Sequence, residues 1–177
     1  MTLLENLKKY TEYSKGDLSK RCKLEYEDIS IAEFDFGEFD LNNSYFGGVT
    51  FEKCIFPKVY LSGSNFGGST FKECIFNGNQ LKKACWDDII VENSNICMND
   101  VFRTSFMFGR FTKSNFNGCI FEKSTFEDSF FTDVNFKGCK FENVNFQNCK
   151  FENTLFEQCT FIDVMIDESS KGVRFVN

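Results

Sequence analysis

The sequence contains no histidine, one proline and no uninterrupted apolar run of 18 residues. Each absence removes a class of function. Without histidine the chain lacks the commonest general base near neutral pH and also the commonest metal ligand. Without a long apolar run it has no candidate transmembrane helix. The opening segment, Met1-Thr2-Leu3-Leu4-Glu5-Asn6-Leu7-Lys8-Lys9, has neither the apolar stretch nor the small-residue cleavage site of a secretory signal. A cytoplasmic chain that engages no membrane is therefore expected. There is no P-loop, no glycine-rich nucleotide fingerprint, no HExxH and no Cys–His pair. The nine cysteines are an odd number, and no two form the CxxC pair that zinc sites use. The expectation is a protein without catalytic residues, cofactor or metal.

What the chain has is a period of five. Every fifth residue from Ile31 to Ile166 is apolar, 28 positions in all, and 19 of them are Phe. At a 42% apolar base rate chance gives this roughly once in 10^11 chains, so structure imposes it. Tyr26 extends the series one step backwards. Two residues before each centre lies a second series, in which 22 of 28 members are Gly, Ala, Ser, Thr, Cys or Val. Cys54, Cys74, Cys119, Cys139, Cys149 and Cys159 belong to it, which makes them small packing residues rather than disulfide or metal partners. The other three positions of each unit are mostly polar.

Neither a helix, with period 3.6, nor a half-buried strand, with period 2, repeats every five residues. A chain that turns a corner every five residues does, with the small and the large residue of each unit inside. Four corners close a square coil of 20 residues, and about seven such coils stack through parallel ladders ~4.8 Å apart into a rod ~34 Å long. Gly48, Gly63, Gly68, Gly78, Gly118 and Gly138 all lie two places after a centre, where a tight corner demands positive φ.

The pattern resembles the pentapeptide-repeat proteins, whose unit is often written A-(D/N)-L-x-x. The stretch Phe-Lys-Gly-Cys-Lys-Phe-Glu-Asn-Val-Asn-Phe-Gln-Asn-Cys-Lys-Phe at 136–151 shows a Phe-centred variant. The resemblance implies an all-β chain wound as a right-handed quadrilateral parallel β-helix. Residues 1–22 fall outside the register and place Leu3, Leu4, Leu7 and Tyr10 at helical spacing, which predicts a short helical N-terminal cap. The solenoid is expected over 23–170 and a C-terminal tail over 171–177. Asn79 and Asn99, one coil apart at inward positions, are expected to form an internal amide ladder in which each supplies the other's partner.

Sorting the outward residues by coil gives four walls, one of which is acidic. It carries Asp87, Asp88, Glu127, Asp128, Asp167 and Glu168, and no Lys or Arg. Met107 and Phe108 interrupt it, with Phe102 on the preceding corner, and Met and aromatic side chains in a polar surround are what binding hot spots use. Phe130, Ile120 and Tyr60 are read as scattered surface residues. The leading expectation is a non-catalytic solenoid that binds a protein through this wall, the partner being basic or DNA-binding, in the manner of an inhibitor or immunity protein. Dispersed basic residues argue against direct nucleic-acid binding. Resemblance to the quinolone-resistance (Qnr-type) group implies an alternative, a DNA-mimic modulator of gyrase or another type II topoisomerase. The chain departs from that group, because no loop interrupts the register and residues 171–177 are expected to be too short for a C-terminal dimerisation helix. A purely structural scaffold is the third reading.

Overall fold

A computed structural model of the chain describes residues 1–167 and 172–176. The chain winds as a parallel β-solenoid of about seven coils behind one N-terminal helix. Successive coils are in register at 20 residues, as in the pairs Phe51↔Phe71 and Phe116↔Phe136. The four walls are numbered by their centres. Wall 1 runs through Tyr26, Phe46 and onward to Ile166, and wall 2 from Ile31 to Phe151. Wall 3 runs from Phe36 to Phe156, and wall 4 from Leu41 to Phe161.

Walls 2 and 3 are seven-stranded parallel sheets, and wall 4 is a five-stranded one. Wall 1 is different. It is a two-stranded ladder at each end, joined by single bridges through Asn65, Cys85, Ser105 and Thr125. There the chain closes an i→i+3 turn after the centre, with Gly109 N donating to Phe106 O at 3.3 Å and Ser129 N donating to Phe126 O at 3.1 Å.

From Ser44 to Phe156 both inward series are buried, Ile96 alone being half-buried, while the series open towards solvent at the two ends, at Ile29 and Phe161. Thirteen phenylalanines, among them Phe36, Phe71, Phe136 and Phe146, are less than 2% exposed. Within a wall their rings stack one coil apart, as in Phe36–Phe56 and Phe136–Phe156, each at 4.6 Å between centroids. Around a coil they meet edge to face, as in Phe121–Phe126 at 5.4 Å. Both arrangements suit the ring quadrupole. The small residues satisfy the main chain. Ser69, Ser94 and Ser129 accept backbone N–H bonds from Val49, Cys74 and Gly109 in the coil below. All nine cysteines are free, and five of the six in register are buried, with Cys159 half-buried at the last coil.

The corners are left-handed throughout. From 28 to 163, every residue two places after a centre except Glu38 has positive φ, comprising six glycines and 21 others with φ between 48° and 60°. Ten of the 21 are Asn or Asp, which tolerate this region best. None is Val, Ile or Thr, whose branched Cβ clashes there most.

The amide ladder forms differently from the expectation. Asn79 Oδ1 accepts from Val59 N at 2.7 Å and Asn99 Oδ1 accepts from Asn79 N at 2.8 Å. The amides thus do the work of the small hydroxyls in neighbouring coils and bond the backbone rather than each other. Asn79 Nδ2 is left without a partner. Where Val91 and Ile96 replace Phe, the ring stacks of walls 2 and 3 are interrupted, and between them and Leu81 and Val101 of wall 4 an apolar cavity of ≈ 40 Å³ opens beside Trp86.

The N-terminal helix, α1 (Leu3–Ser14), starts at a capping box, with Thr2 Oγ1 accepting from Glu5 N and Glu5 Oε2 accepting from Thr2 N. It buries Leu7 and Tyr10 against the first coil. Tyr10 OH donates to Asn42 O, and Asp40 N donates to Thr11 Oγ1 at 3.0 Å. This covers the core that the first coil would otherwise expose. At the other end Val173–Val176 pairs with Thr154–Glu157 and stacks Phe175 on Phe156 at 5.3 Å, adding a rung where the five-residue period has ended.

Candidate functional site

The turn geometry of wall 1 determines how its outward residues are presented. In the middle coils each turn places one residue half-buried on the flat of the wall and the next on the corner with positive φ. In the three middle coils these pairs are Asp87-Asp88, Met107-Phe108 and Glu127-Asp128, with φ of 57°, 60° and 59° at the three corners. Backbone bonds lock the corners one above another, with Asp88 N donating to Met107 O at 2.8 Å and Phe108 N to Glu127 O at 3.1 Å.

The acids of this wall are not equivalent. Asp87 is committed to the fold, because its Oδ1 accepts from Ser105 Oγ at 2.5 Å and from Met107 N at 2.9 Å in the next coil. Its other oxygen accepts a hydrogen bond from the Cys85 thiol at 3.4 Å, and burial followed by this carboxylate raises the Cys85 pKa above its ordinary value. Glu127 accepts from Asn145 Nδ2 at 3.3 Å, and Asp167 accepts from Asn148 N at 2.5 Å. Asp88 and Asp128 have no ion-pair partner among the described residues. Glu168 lies outside the described residues.

Phe108 is 48% exposed. It is the only aromatic among the 21 non-glycine left-handed corners, and Met98 is the only other apolar one. Its ring stands between Asp88 and Asp128 in a shallow depression completed by Ile90, Arg110 and Phe130 from wall 2. Phe130, read from the sequence as scattered, therefore shares a site with Phe108. The signal was present in the numbering, since 130 follows 110 by one coil and 108 and 110 flank the same corner. Lys150 Nζ lies 5.1 Å from the Phe130 ring centroid. Helix α1 bonds Tyr26, Asp40 and Asn42 of the first coils and does not cover this depression.

Phe102 is placed elsewhere. It lies half-buried on wall 4, with Arg103 and Lys123 at 5.1 and 5.6 Å from its ring centroid. These cations occupy the corner where wall 4 meets wall 1, so one long edge of the acidic wall is basic. The acidic series also begins earlier than the sequence reading placed it. Tyr26 pairs with Phe46, which brings Glu25, Glu27 and Asp28 onto wall 1 in the first coil. Among the described residues no cluster of three or more potential metal ligands is present, and no helix is long and apolar enough to cross a membrane.

Two family models agree with the five-residue repeat. Residues 109–175 match the family model described as a pentapeptide repeat region, and residues 40–78 match that of pentapeptide repeats in eight copies. Together the two matches span more than half of the chain. No curated protein matches the sequence. Among solved structures, the chain is similar to full-length QnrB1, a plasmid-mediated fluoroquinolone resistance protein, at 15% identity and TM-score 0.39, over 86% of this chain and 94% of that one. It is also similar to HetL of the cyanobacterium Nostoc sp. strain PCC 7120, a pentapeptide repeat protein involved in heterocyst differentiation regulation. That match has 9% identity and TM-score 0.35, over 92% of this chain and 93% of that one. Rfr23 of the cyanobacterium Cyanothece 51142 matches at 15% identity and TM-score 0.33, over 82% and 88%.

Proposed function

The chain belongs to the pentapeptide-repeat proteins, and from that premise we propose that it is a non-catalytic protein-binding solenoid acting through wall 1. A solenoid of this kind spends its large side chains on the core and leaves function to its walls. The observation that carries the reading is Phe108. Neither packing nor backbone asks for an aromatic ring there, since the ring is half exposed and the corner has φ of 60°. Folding alone favours Gly or Asn at such a corner. A ring between two carboxylates, with Phe130, Ile90 and Met107 beside it, has the composition of a hot spot with a polar rim.

The role this suits is that of an inhibitor or immunity-type protein whose wall occludes a target surface. The test is capture of a partner from the native host by immobilised protein, followed by mass spectrometry. Met107→Ser/Phe108→Ser abolishes capture if the wall binds. Capture that survives this change removes the reading.

The DNA-mimic reading has less support. A duplex ~34 Å long carries about 20 charges, whereas six acids were counted on this wall and the first coil adds three. The basic edge formed by Lys83, Arg103 and Lys123 has no counterpart on a duplex. A supercoiling assay with purified gyrase that shows no effect at micromolar protein would remove it.

A further inference from the structure

The two long edges of wall 1 are complementary to each other. Counting along the rod, the leading edge carries the residue three before each centre and the trailing edge the residue two after it. In the fourth, fifth and sixth coils the leading edge reads Lys83, Arg103, Lys123 and the trailing edge reads Asp88, Phe108, Asp128, each on a corner with positive φ. The first coil repeats the pairing with Lys23 and Asp28. The rungs between these, and the seventh, carry only Gly or Asn on both edges. In the eighth the leading residue is Asp163, and its counterpart Glu168 lies outside the described residues.

From this we infer that wall 1 is the interface of a parallel homodimer. A twofold axis lying between two copies and running along the rods turns wall 1 to face itself. It sets each leading edge against the other copy's trailing edge at the same height. Lys83 then meets Asp88, Lys123 meets Asp128, and the Arg103 guanidinium meets the exposed Phe108 ring, which favours a cation on its face. Each contact occurs twice. An axis across the rods would instead bring like edges together, so the charge pattern selects one orientation.

The other charges nearby adjust the strength of this pairing but not its orientation. Lys23 and Lys123 already neighbour Glu25 and Glu122, at 3.0 and 3.2 Å, in exposed pairs of little strength. Arg110 on wall 2 stands beyond the trailing edge. Glu27, Asp87 and Glu127, on the flat of the wall, stand near the axis and face their own counterparts, a repulsion that weakens the dimer even though Asp87 and Glu127 are bonded within their own copy. A face ~34 Å by ~15 Å buries on the order of 1,000 Å² over both copies, the lower end for a specific interface, so a concentration-dependent dimer is expected.

The inference rests on wall 1 being an interface and names a second copy of this chain as its occupant in the free protein, which a host target bound through Phe108 has to displace. Sedimentation velocity at roughly 100 µM reads the mass, which is 20.6 kDa for one chain. Wild type is expected at twice that mass. Lys83→Glu/Lys123→Glu makes both edges acidic, and Asp88→Lys/Asp128→Lys makes both basic. Glu and Lys already occupy left-handed corners at 73 and 53, so both variants keep a tolerated backbone. Each variant alone is expected to be monomeric, and an equimolar mixture is expected to restore the doubled mass. A monomeric wild type, an unaffected single variant or a monomeric mixture would each overturn the homodimer. If the wild type is monomeric but still captures a host protein through Met107 and Phe108, the homodimer fails while the wall-1 reading stands.

Discussion

The left-handed corners make a quantitative prediction at Gly138. Its φ is +59°, and a Cβ built there meets nothing within 4 Å, so any substitution reports backbone strain without a packing contribution. Placing Ala in this region costs about 1–2 kcal/mol relative to Gly. Reduced freedom of the unfolded chain returns about 0.4–1 kcal/mol of that. Gly138→Ala should therefore destabilise by about 1 kcal/mol, Gly138→Asn by less, and Gly138→Val by about 2 kcal/mol. The control lies two residues away. Lys140 is an outward strand residue of the kind that elsewhere in the solenoid is Ile55, Ile75 or Ile120, so Lys140→Val should change stability by under about 0.5 kcal/mol. Urea midpoints at constant slope measure all four variants. Equal effects of Val at 138 and 140 would refute the corner argument.

Other outcomes follow from the packing and the titration of buried groups. Phe136→Ala removes a fully buried ring stacked on both sides, and should cost about 3–5 kcal/mol, whereas Phe161→Ala, at 38% exposure in the last coil, should cost distinctly less. Val91→Phe rejoins the wall-2 stack between Phe71 and Phe111 and fills part of the ≈ 40 Å³ cavity, so the unfolding midpoint should rise; a fall would mean the coil cannot take the ring. The Cys149 thiol is pushed up to about 12 by burial, above an unfolded value of about 8.5. The folded state thus holds this proton more tightly, and the contribution is intact below about pH 8.5 and lost as pH rises towards 12. Cys149→Ala should flatten the decline of stability between those limits, measured as unfolding midpoint against pH.

Much of the fold was legible in the sequence because a solenoid repeats one local solution. Twenty-eight centres in one register specified the coil, the stacked core and which residues face outward. What the period could not carry was anything belonging to a single position. The amides of Asn79 and Asn99 were expected to bond each other, but an inward residue two before a centre lies beside the N–H of the coil below, and that donor takes the oxygen. Asp87 read as one of six interchangeable acids, yet the turn of wall 1 leaves the Met107 amide outside the ladder and Asp87 supplies its acceptor. Sorting residues wall by wall also hid what meets across a corner. Phe108 and Phe130 were assigned to different walls, as were Lys83 and Asp88, although each pair shares or flanks the same strip of surface. Residues 173–176 broke the period by one residue, Phe175 pairing with Phe156, so their strand was invisible to a count in fives.

Under the wall-1 proposal Phe108 is present for contact and not for folding. Phe108→Asn separates the two, because Asn suits a corner with φ of 60°. Partner capture and dimer mass measured on Phe108→Asn protein, with its urea midpoint recorded on the same sample, should show association lost and stability unchanged or raised. A lower midpoint with association intact would contradict it.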